Sequence, residues 1–339
     1  LEGGEPVTQI HDYATPADRD AFAKGTPGIY VNVPFFVYLK HPAMSRSAVM
    51  TVLNETLAHF KHERDNPDHS FSEAFLWGSA VHCRLQEPDE FARRYRRAPE
   101  NLKTGQQFGA ASKAFAEALE EARADGCELY LDSWNLDAIC DAIRTHPDTR
   151  RILEGRPLIE ATVIWTDEES GLLCKARPDN LNIAAGIFCD VKTAESANPA
   201  KFMQSACEYG YFDQVAHYAN GLKAVFGREF DGYLIPVEKK PYHAVGCYAV
   251  TMDEPRENEG DEPTLMVARE RVAWALKQIA KAEKLNQWPG YREQVLSGTA
   301  RYRNSLKWRK QREPGAGFDK VVEEPSFMGG PDDGTDFNF

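Results

Sequence analysis

Apolar runs of two kinds follow one another along the chain. Residues 158–165 (Leu-Ile-Glu-Ala-Thr-Val-Ile-Trp) and 172–177 are strand-like runs, the first rich in β-branched and aromatic side chains, and the Asp-Glu-Glu-Ser-Gly stretch at 167–171 has the composition of a turn. Together they predict a β-hairpin. A third apolar run, 186–193, follows a short connection over 180–185 and predicts the next strand. Elsewhere apolar positions recur at helical spacing. Ser45 or Ser47 caps a predicted helix running to about Asp65, and Ser72 caps another through 85. Residues 111–124 and 135–145 predict two helices of an insertion (about 100–150), a further helix begins after Asn198-Pro199, and 211–226 has clear helical periodicity. Residues 230–237 and 243–250 read as strands at a sheet edge, because Pro236 lacks the N–H that an interior strand donates. A long helix over 264–286 carries Leu265, Val272, Leu276 and Ile279 at a spacing that suits packing on the sheet. This order of elements predicts an α/β protein: a mixed central β-sheet flanked by helices, with a helical N-terminal region. No internal repeat is visible.

A few charged residues interrupt the predicted strands, and they share one chemistry. Successive strand side chains point to opposite faces, so Asp190 and Lys192 face one cleft while Val191 turns into the core. Asp190 is a candidate metal ligand with the Val191 carbonyl as a further oxygen donor, and Lys192 is placed to orient a water and offset charge on a phosphate. Asp179, at the end of the preceding strand, is a second carboxylate ligand, and Glu160 on the neighbouring strand a third. Cutting a phosphodiester with water requires charge neutralisation, an activated water and a stabilised leaving oxygen; one or two divalent ions, about 3.5–4 Å apart if two, meet all three needs. Hard ions of this kind take oxygen ligands. Gln214 and Tyr218, four apart on one helix face, are placed to hold the strand being cut or a water. Gly78 and His82 are also four apart; the glycine would let another backbone approach closely, and the imidazole would reach a metal or a phosphate. An Asp-x-Lys pair on a strand also fits a solvated ion pair, but the neighbouring carboxylates and helices set this one apart.

In chain order, Gly78-x-x-x-His82, Glu160, Arg177-Pro178-Asp179, Asp190-Val191-Lys192 and Gln214-x-x-x-Tyr218 resemble the PD-(D/E)xK nuclease superfamily. Within it they look like the RecE-type exodeoxyribonucleases (exodeoxyribonuclease VIII), with lambda exonuclease and the RecB nuclease domain as more distant relatives. The segment Met44-Ser-Arg-Ser-Ala-Val-Met50 and the closing Trp288-Pro-Gly-Tyr291 are similar to that family too. The resemblance spans residues 40–295. It implies a restriction-endonuclease-like core over 41–300, preceded by an N-terminal extension (1–40) and followed by a basic segment (301–312) and a tail (313–339). It implies Mg²⁺ as cofactor with Mn²⁺ as a substitute, a catalytic set of Lys192, Asp190, Asp179, Glu160, Gln214, Tyr218 and His82, and metal ligation by Asp179, Asp190, Glu160, Val191 and His82. The implied activity is degradation of double-stranded DNA from its ends, 5′ to 3′, leaving a 3′ single strand for recombination. A single-strand annealing protein and a ring-shaped homo-oligomer are the partners it implies. Two other readings stay open: a structure-specific or single-strand endonuclease of the same fold, and a DNA-binding recombination partner with an inactive core.

Composition changes the picture in a few places. A net charge of −12 runs against phosphate binding, but 251–263 and 313–339 contribute −5 and −6 of it, leaving a near-neutral remainder. Positive charge gathers at 93–97 and at 301–312. In the second run Arg301, Arg303, Lys307, Arg309 and Lys310 interleave with Tyr302 and Trp308, a pattern suited to phosphate contacts with base stacking, or equally to a solvated helical end. These basic residues and Trp308 are candidate DNA contacts. So are Ser45, Arg46 and Ser47, at a helix N-terminus where free N–H groups favour anions, although capping alone also accounts for the serines. Seven cysteines occur singly with no C-x-x-C pair, which indicates neither a zinc site nor an iron–sulfur cluster. Cys174 and Cys189 read as small buried apolar side chains, and a reducing cytoplasm suits them. No apolar run approaches the ~20 residues of a membrane span, so no membrane partner is expected. The chain starts at Leu1 without a leader pattern, so its first residues read as an expression remnant or the cut edge of a longer polypeptide. From 313 onward Gly, Pro, Asp and Glu predict an acidic disordered tail. Its Asp332-Asp-Gly-Thr-Asp-Phe-Asn-Phe339 end resembles the partner-docking tip of bacterial single-strand DNA-binding proteins; a solubilising role, or competition with DNA for a basic groove, fits as well.

Overall fold

A computed structural model describes residues 10–67, 72–252 and 264–291. The first part of the chain forms β1 (Ile10–Asp12), α1 (Pro16–Ala23), β2 (Gly28–Val31), α2 (Phe35–Lys40), α3 (Arg46–Asn54), α4 (Leu57–Asp65), α5 (Glu73–Gln86) and α6 (Pro88–Arg94). Then come β3 (Tyr95–Arg97), α7 (Lys113–Ala124), β4 (Glu128–Tyr130), α8 (Leu136–Thr145) and α9 (Pro147–Leu153). The remainder is β5 (Leu158–Ile159), β6 (Thr162–Thr166), β7 (Leu173–Ala176), β8 (Asn180–Asn182), β9 (Ile187–Ala194), α10 (Pro199–Glu208), α11 (Tyr211–Phe226), β10 (Asp231–Glu238), β11 (Tyr248–Val250) and α12 (Thr264–Leu285).

Five strands make the central sheet in the order β11-β10-β9-β8-β5, with β9 and β10 parallel and the other neighbours antiparallel. The period-2 alternation of β9 and β10 divides the core. Cys189, Val191, Ile235 and Val237 pack on the helical layer of α5 to α9, whereas Phe188 and Leu234 belong to the core around α11. A second sheet, β1-β2-β6-β7, packs on α11 as well. The ring of Trp165 on β6 lies 2.6 Å from where a Cβ of Gly221 would stand, so only glycine admits this approach of strand to helix. With α12 also against it, α11 is buried along most of its length, which explains why its sequence is apolar on more than one face.

Several elements depart from their sequence expectation for identifiable reasons. The helix expected over 45–65 is two helices: Glu55 leaves helical dihedrals, and the Thr56 hydroxyl accepts from the His59 N–H (3.3 Å) to cap a new start. Residues 180–185 are no mere connection, because Asn180–Asn182 is β8, paired with β9 from Asn180↔Cys189 to Asn182↔Ile187. Asp179 therefore stands just before a strand instead of ending one. β10 is interior, not an edge; at Pro236 the antiparallel pairing with β11 has already ended, and the Pro236 carbonyl accepts from Gly246 N–H (2.9 Å). The long helix packs on α11, α3 and α4 instead of on the sheet. Gly78 admits no neighbouring backbone: the nearest atom to a Cβ there would be Thr193 Oγ1, at 3.7 Å. The basic run at 93–97 is largely paired, Arg93 with Glu90 (3.4 Å), Arg96 with Asp125 (2.9 Å) and Arg97 with Asp132 (2.5 Å). The Trp288-Pro-Gly-Tyr291 segment folds back on α4: Trp288 stacks near Phe60 and Arg64, and the Pro289 carbonyl accepts from Ala58 N–H (3.2 Å). No described helix is long and apolar enough to cross a membrane.

Candidate active site

The hairpin of β6 and β7 forms in the expected register, Val163↔Ala176 to Thr166↔Leu173, but both of its arms change sheet at one corner. Upstream of β6 the chain passes through Glu160 into β5 of the central sheet, and downstream of β7 it passes through Arg177-Pro178-Asp179 into β8. Glu160 takes a φ of 50°, the left-handed region that a non-glycine residue adopts at a cost of about 1–3 kcal/mol. Three bonds hold the turn. Glu160 N–H donates to the Asp179 carbonyl (3.1 Å), Arg177 Nε donates to Glu160 Oε2 (2.6 Å), and Arg177 Nη1 donates to the Val33 carbonyl (2.9 Å).

The same corner opens β9. Continuing the Asn180↔Cys189 register would set Pro178 opposite Val191, and proline has no N–H to give. Side chains serve the Val191 backbone instead. Asp179 Oδ2 accepts from Val191 N–H (2.6 Å), and His82 Nε2 stands 2.8 Å from the Val191 carbonyl while its Nδ1 is 3.0 Å from Asp179 Oδ1. Ser72 caps α5 through Phe75 N–H (3.2 Å), and α5 carries His82 to this point. At the preceding position of β9, Asp190 Oδ1 accepts from Lys192 Nζ (2.5 Å) and Oδ2 from Gln214 Nε2 (2.9 Å). That amide nitrogen also lies 3.0 Å from Tyr218 Oη. The ring of Tyr211, one turn before Gln214, lies 5.0 Å from the Lys192 ammonium.

Burial and crowding of like charges set the protonation pattern. Burial, then the neighbouring Asp190, pushes Asp179 up to about 6 against the pull of His82. Burial disfavours the His82 imidazolium, yet Asp179, with Glu160 and Asp190 behind it, holds it up to about 9. An ion that takes the imidazole as a ligand must therefore displace a proton from it. Burial likewise works against the charge on Lys192, but Asp190 and Asp179 raise it above its ordinary value. Burial lifts the Tyr218 phenol well above its usual range. The three carboxylates Glu160, Asp179 and Asp190 stand among Lys192, Arg177 and the His82 ring.

The donor set suits a hard divalent ion. Ligand atoms of His82, Glu160 and Asp179 lie within 4.8 Å of one another, the Val191 carbonyl borders His82 and Asp179, and every donor but the imidazole is oxygen. Asp190, bonded to Lys192 and Gln214, stands outside that tight group but within its field. Ser45, Arg46 and Ser47 are engaged differently from a free phosphate cradle. Ser45 Oγ caps Ala48 N–H (3.4 Å), the Arg46 guanidinium donates to the Tyr209 carbonyl, and Ser47 is exposed. Arg301, Arg303, Lys307, Trp308, Arg309 and Lys310, and the acidic tail with them, lie outside the described residues. Sequence reasoning gave no role to Arg177, Tyr211 or Tyr38. Spacing from Gln214 would have found Tyr211, and adjacency to Pro178-Asp179 marks Arg177. Nothing in the sequence signals Tyr38, buried between the Lys175 and Arg177 cations at 4.8 and 5.6 Å.

A family model described as "PDDEXK-like domain of unknown function (DUF3799)" matches residues 48–300, most of the chain. The chain belongs to this family. It is thereby a PD-(D/E)xK-type nuclease with a restriction-endonuclease-like core. Among solved structures, this nuclease is similar to a crystal structure titled "Putative exonuclease" from Eubacterium rectale, at 16% identity and a TM-score of 0.52, over 87% of this chain and 96% of that one. At that identity the likeness shows the fold alone. No curated protein matches the sequence.

Proposed function

We propose that this nuclease is a Mg²⁺-dependent exodeoxyribonuclease that degrades double-stranded DNA from its ends, 5′ to 3′, and exposes a 3′ single strand for recombination. The observation that carries the hydrolytic part is the corner itself: ligand atoms of Asp179, Glu160 and His82 converge beside the Val191 carbonyl, and the Asp190–Lys192 pair lies within the field of the same group. Asp179, Glu160, Asp190, His82 and the Val191 carbonyl would hold the ion, with Mn²⁺ as a substitute. When bound, a divalent ion neutralises the phosphate and makes a water more acidic. Lys192, anchored 2.5 Å from Asp190, orients the attacking water and donates toward the phosphate oxygens. Gln214 fixes the far oxygen of Asp190, so that the carboxylate keeps one rotamer, and Tyr218 backs Gln214. His82 keeps Asp179 and the Val191 carbonyl facing each other.

The end-dependent part is supported by the order of the sequence motifs and by the name of the Eubacterium rectale protein. A ring-shaped homo-oligomer threading the duplex and a single-strand annealing partner belong to the same reading. Matched linear and covalently closed circular duplexes, incubated with the protein in Mg²⁺ and in chelator, test it. Loss of the linear form alone, and only with Mg²⁺, is the expected result; opening of the circles would make the enzyme an endonuclease instead.

A further inference from the structure

We propose that Tyr211 is a positioning residue of the cleavage reaction: the face of its ring holds the Lys192 ammonium in place when Asp190 is engaged as a ligand. This rests on the nuclease reading of the site. Lys192 Nζ stands over the Tyr211 ring, 5.0 Å from its centroid, inside the ~6 Å at which an aromatic face attracts a cation. The Lys192 side chain is 16% exposed and that of Asp190, 2.5 Å away, 6%. Little water therefore screens the contact. Local structure delivers the ring to this place. Gly210 takes a φ of 64° at the N-cap of α11, and Tyr211 is the first residue of the helix. Three and seven positions on, Gln214 and Tyr218 share its helix face, and Gln214 Nε2 donates to the other oxygen of Asp190 (2.9 Å). The ring is itself packed, with Phe202 of α10 at 5.9 Å and Tyr209 at 5.8 Å between centroids. The Arg46 guanidinium donates to the Tyr209 carbonyl and pins the turn that leads into α11.

Two groups thus hold one ammonium, and they differ in what else they do. Asp190 is shared: in the proposed site its carboxylate also ligates the divalent ion, and charge directed at an ion is withdrawn from Lys192. The ring has no competing duty. Its negative face attracts the ammonium whether or not Asp190 ligates. A lysine side chain is long and rich in rotamers, whereas an ammonium that orients a water acts from one place only. Tyr211 keeps it there. The consequence belongs to turnover more than to affinity, because Lys192 acts on the water and on phosphate oxygens as their charge builds up. The phenol oxygen has no part in this, since the ammonium lies over the ring face.

A series of side chains at position 211 tests the role on linear duplex DNA in Mg²⁺. It comprises Tyr211→Phe, Tyr211→Leu and phenylalanines of increasing fluorination, which keep the shape of the ring while draining its face of negative charge. Tyr211→Phe should keep kcat near wild type, and Tyr211→Leu should lower it about 3- to 30-fold with KM little changed. Along the fluorinated series kcat should fall stepwise, which a purely structural ring would not show. A second readout needs no metal. Urea unfolding in chelator of wild type, Tyr211→Leu, Lys192→Met and the double variant should reveal a coupling of about 3- to 30-fold in the unfolding equilibrium. A kcat that stays flat across the fluorinated series while wild type cleaves would overturn the positioning role and leave the nuclease reading standing, and so would additive unfolding effects. Absence of cleavage by wild type would overturn the nuclease reading and the role of Tyr211 with it.

Discussion

Replacing Arg177 by methionine should destabilise the protein by about 2–3 kcal/mol, and most of that cost should vanish when Glu160 is glutamine. The two side chains are 12% and 27% exposed and approach to 2.6 Å. At an effective dielectric of ~20, unit charges ~4 Å apart attract by about 4 kcal/mol. Partial desolvation and the ordering of both side chains consume roughly half of that, in line with ~1.5–3 kcal/mol for a charge-assisted bond. Arg177→Met leaves the Glu160 carboxylate beside Asp179 with its counter-charge gone, which is the costly half of breaking a part-buried pair. The Val33 carbonyl loses its donor in either background, so that share of the cost stays. Urea unfolding of wild type, Arg177→Met, Glu160→Gln and the double variant isolates the pairwise part, expected near 2 kcal/mol. A coupling below ~0.5 kcal/mol would make the pair no better than a surface ion pair and would refute the claim that Arg177 holds the left-handed corner.

His217 is buried on α11, its Nε2 3.1 Å from the Lys175 carbonyl, and burial pushes it down to about 4 from an ordinary 6.5. Because the folded state takes up this proton less readily than the unfolded one, the stability it preserves is intact above pH 6.5 and falls as the pH drops toward 4. The loss should reach about 3 kcal/mol, at ~1.4 kcal/mol per pH unit of that interval. Denaturant unfolding at pH 6.5 and 4.5 should show the drop in wild type and a smaller one in His217→Gln; parallel drops would assign it to other groups. Gly221→Ala should cost about 1–3 kcal/mol, because its Cβ would meet the Trp165 ring at 2.6 Å. An unchanged urea midpoint would mean that strand and helix can separate freely there.

Much of the site was legible because its side chains obey simple periodicities. Asp190 and Lys192 share a strand face by alternation, and Gln214 and Tyr218 share a helix face by the four-residue spacing; both pairs meet in the structure. The corner was not legible. Residues 158–165 carry one continuous strand-like pattern, and only the left-handed backbone of Glu160 shows that β5 and β6 belong to different sheets. Asn180–Asn182 is too short and polar to register as a strand, yet it defines where Val191 loses its backbone partner and so why His82 and Asp179 reach that strand. Pro236 argued for an edge that the early end of β11 made unnecessary. The apolar stripe of α12 was read correctly as buried, but periodicity does not say whether a sheet or another helix covers it.

The most direct test of the central claim is digestion of linear duplex DNA in Mg²⁺ by wild type and by rigorously purified Asp190→Ala, with DNA binding of both measured in parallel. Wild type should degrade the DNA, while the variant, its Lys192–Asp190–Gln214 connection broken, should bind DNA about as well and leave it intact. Degradation by the variant at the wild-type rate would mean that the corner between the two sheets is not where the phosphodiester is cut.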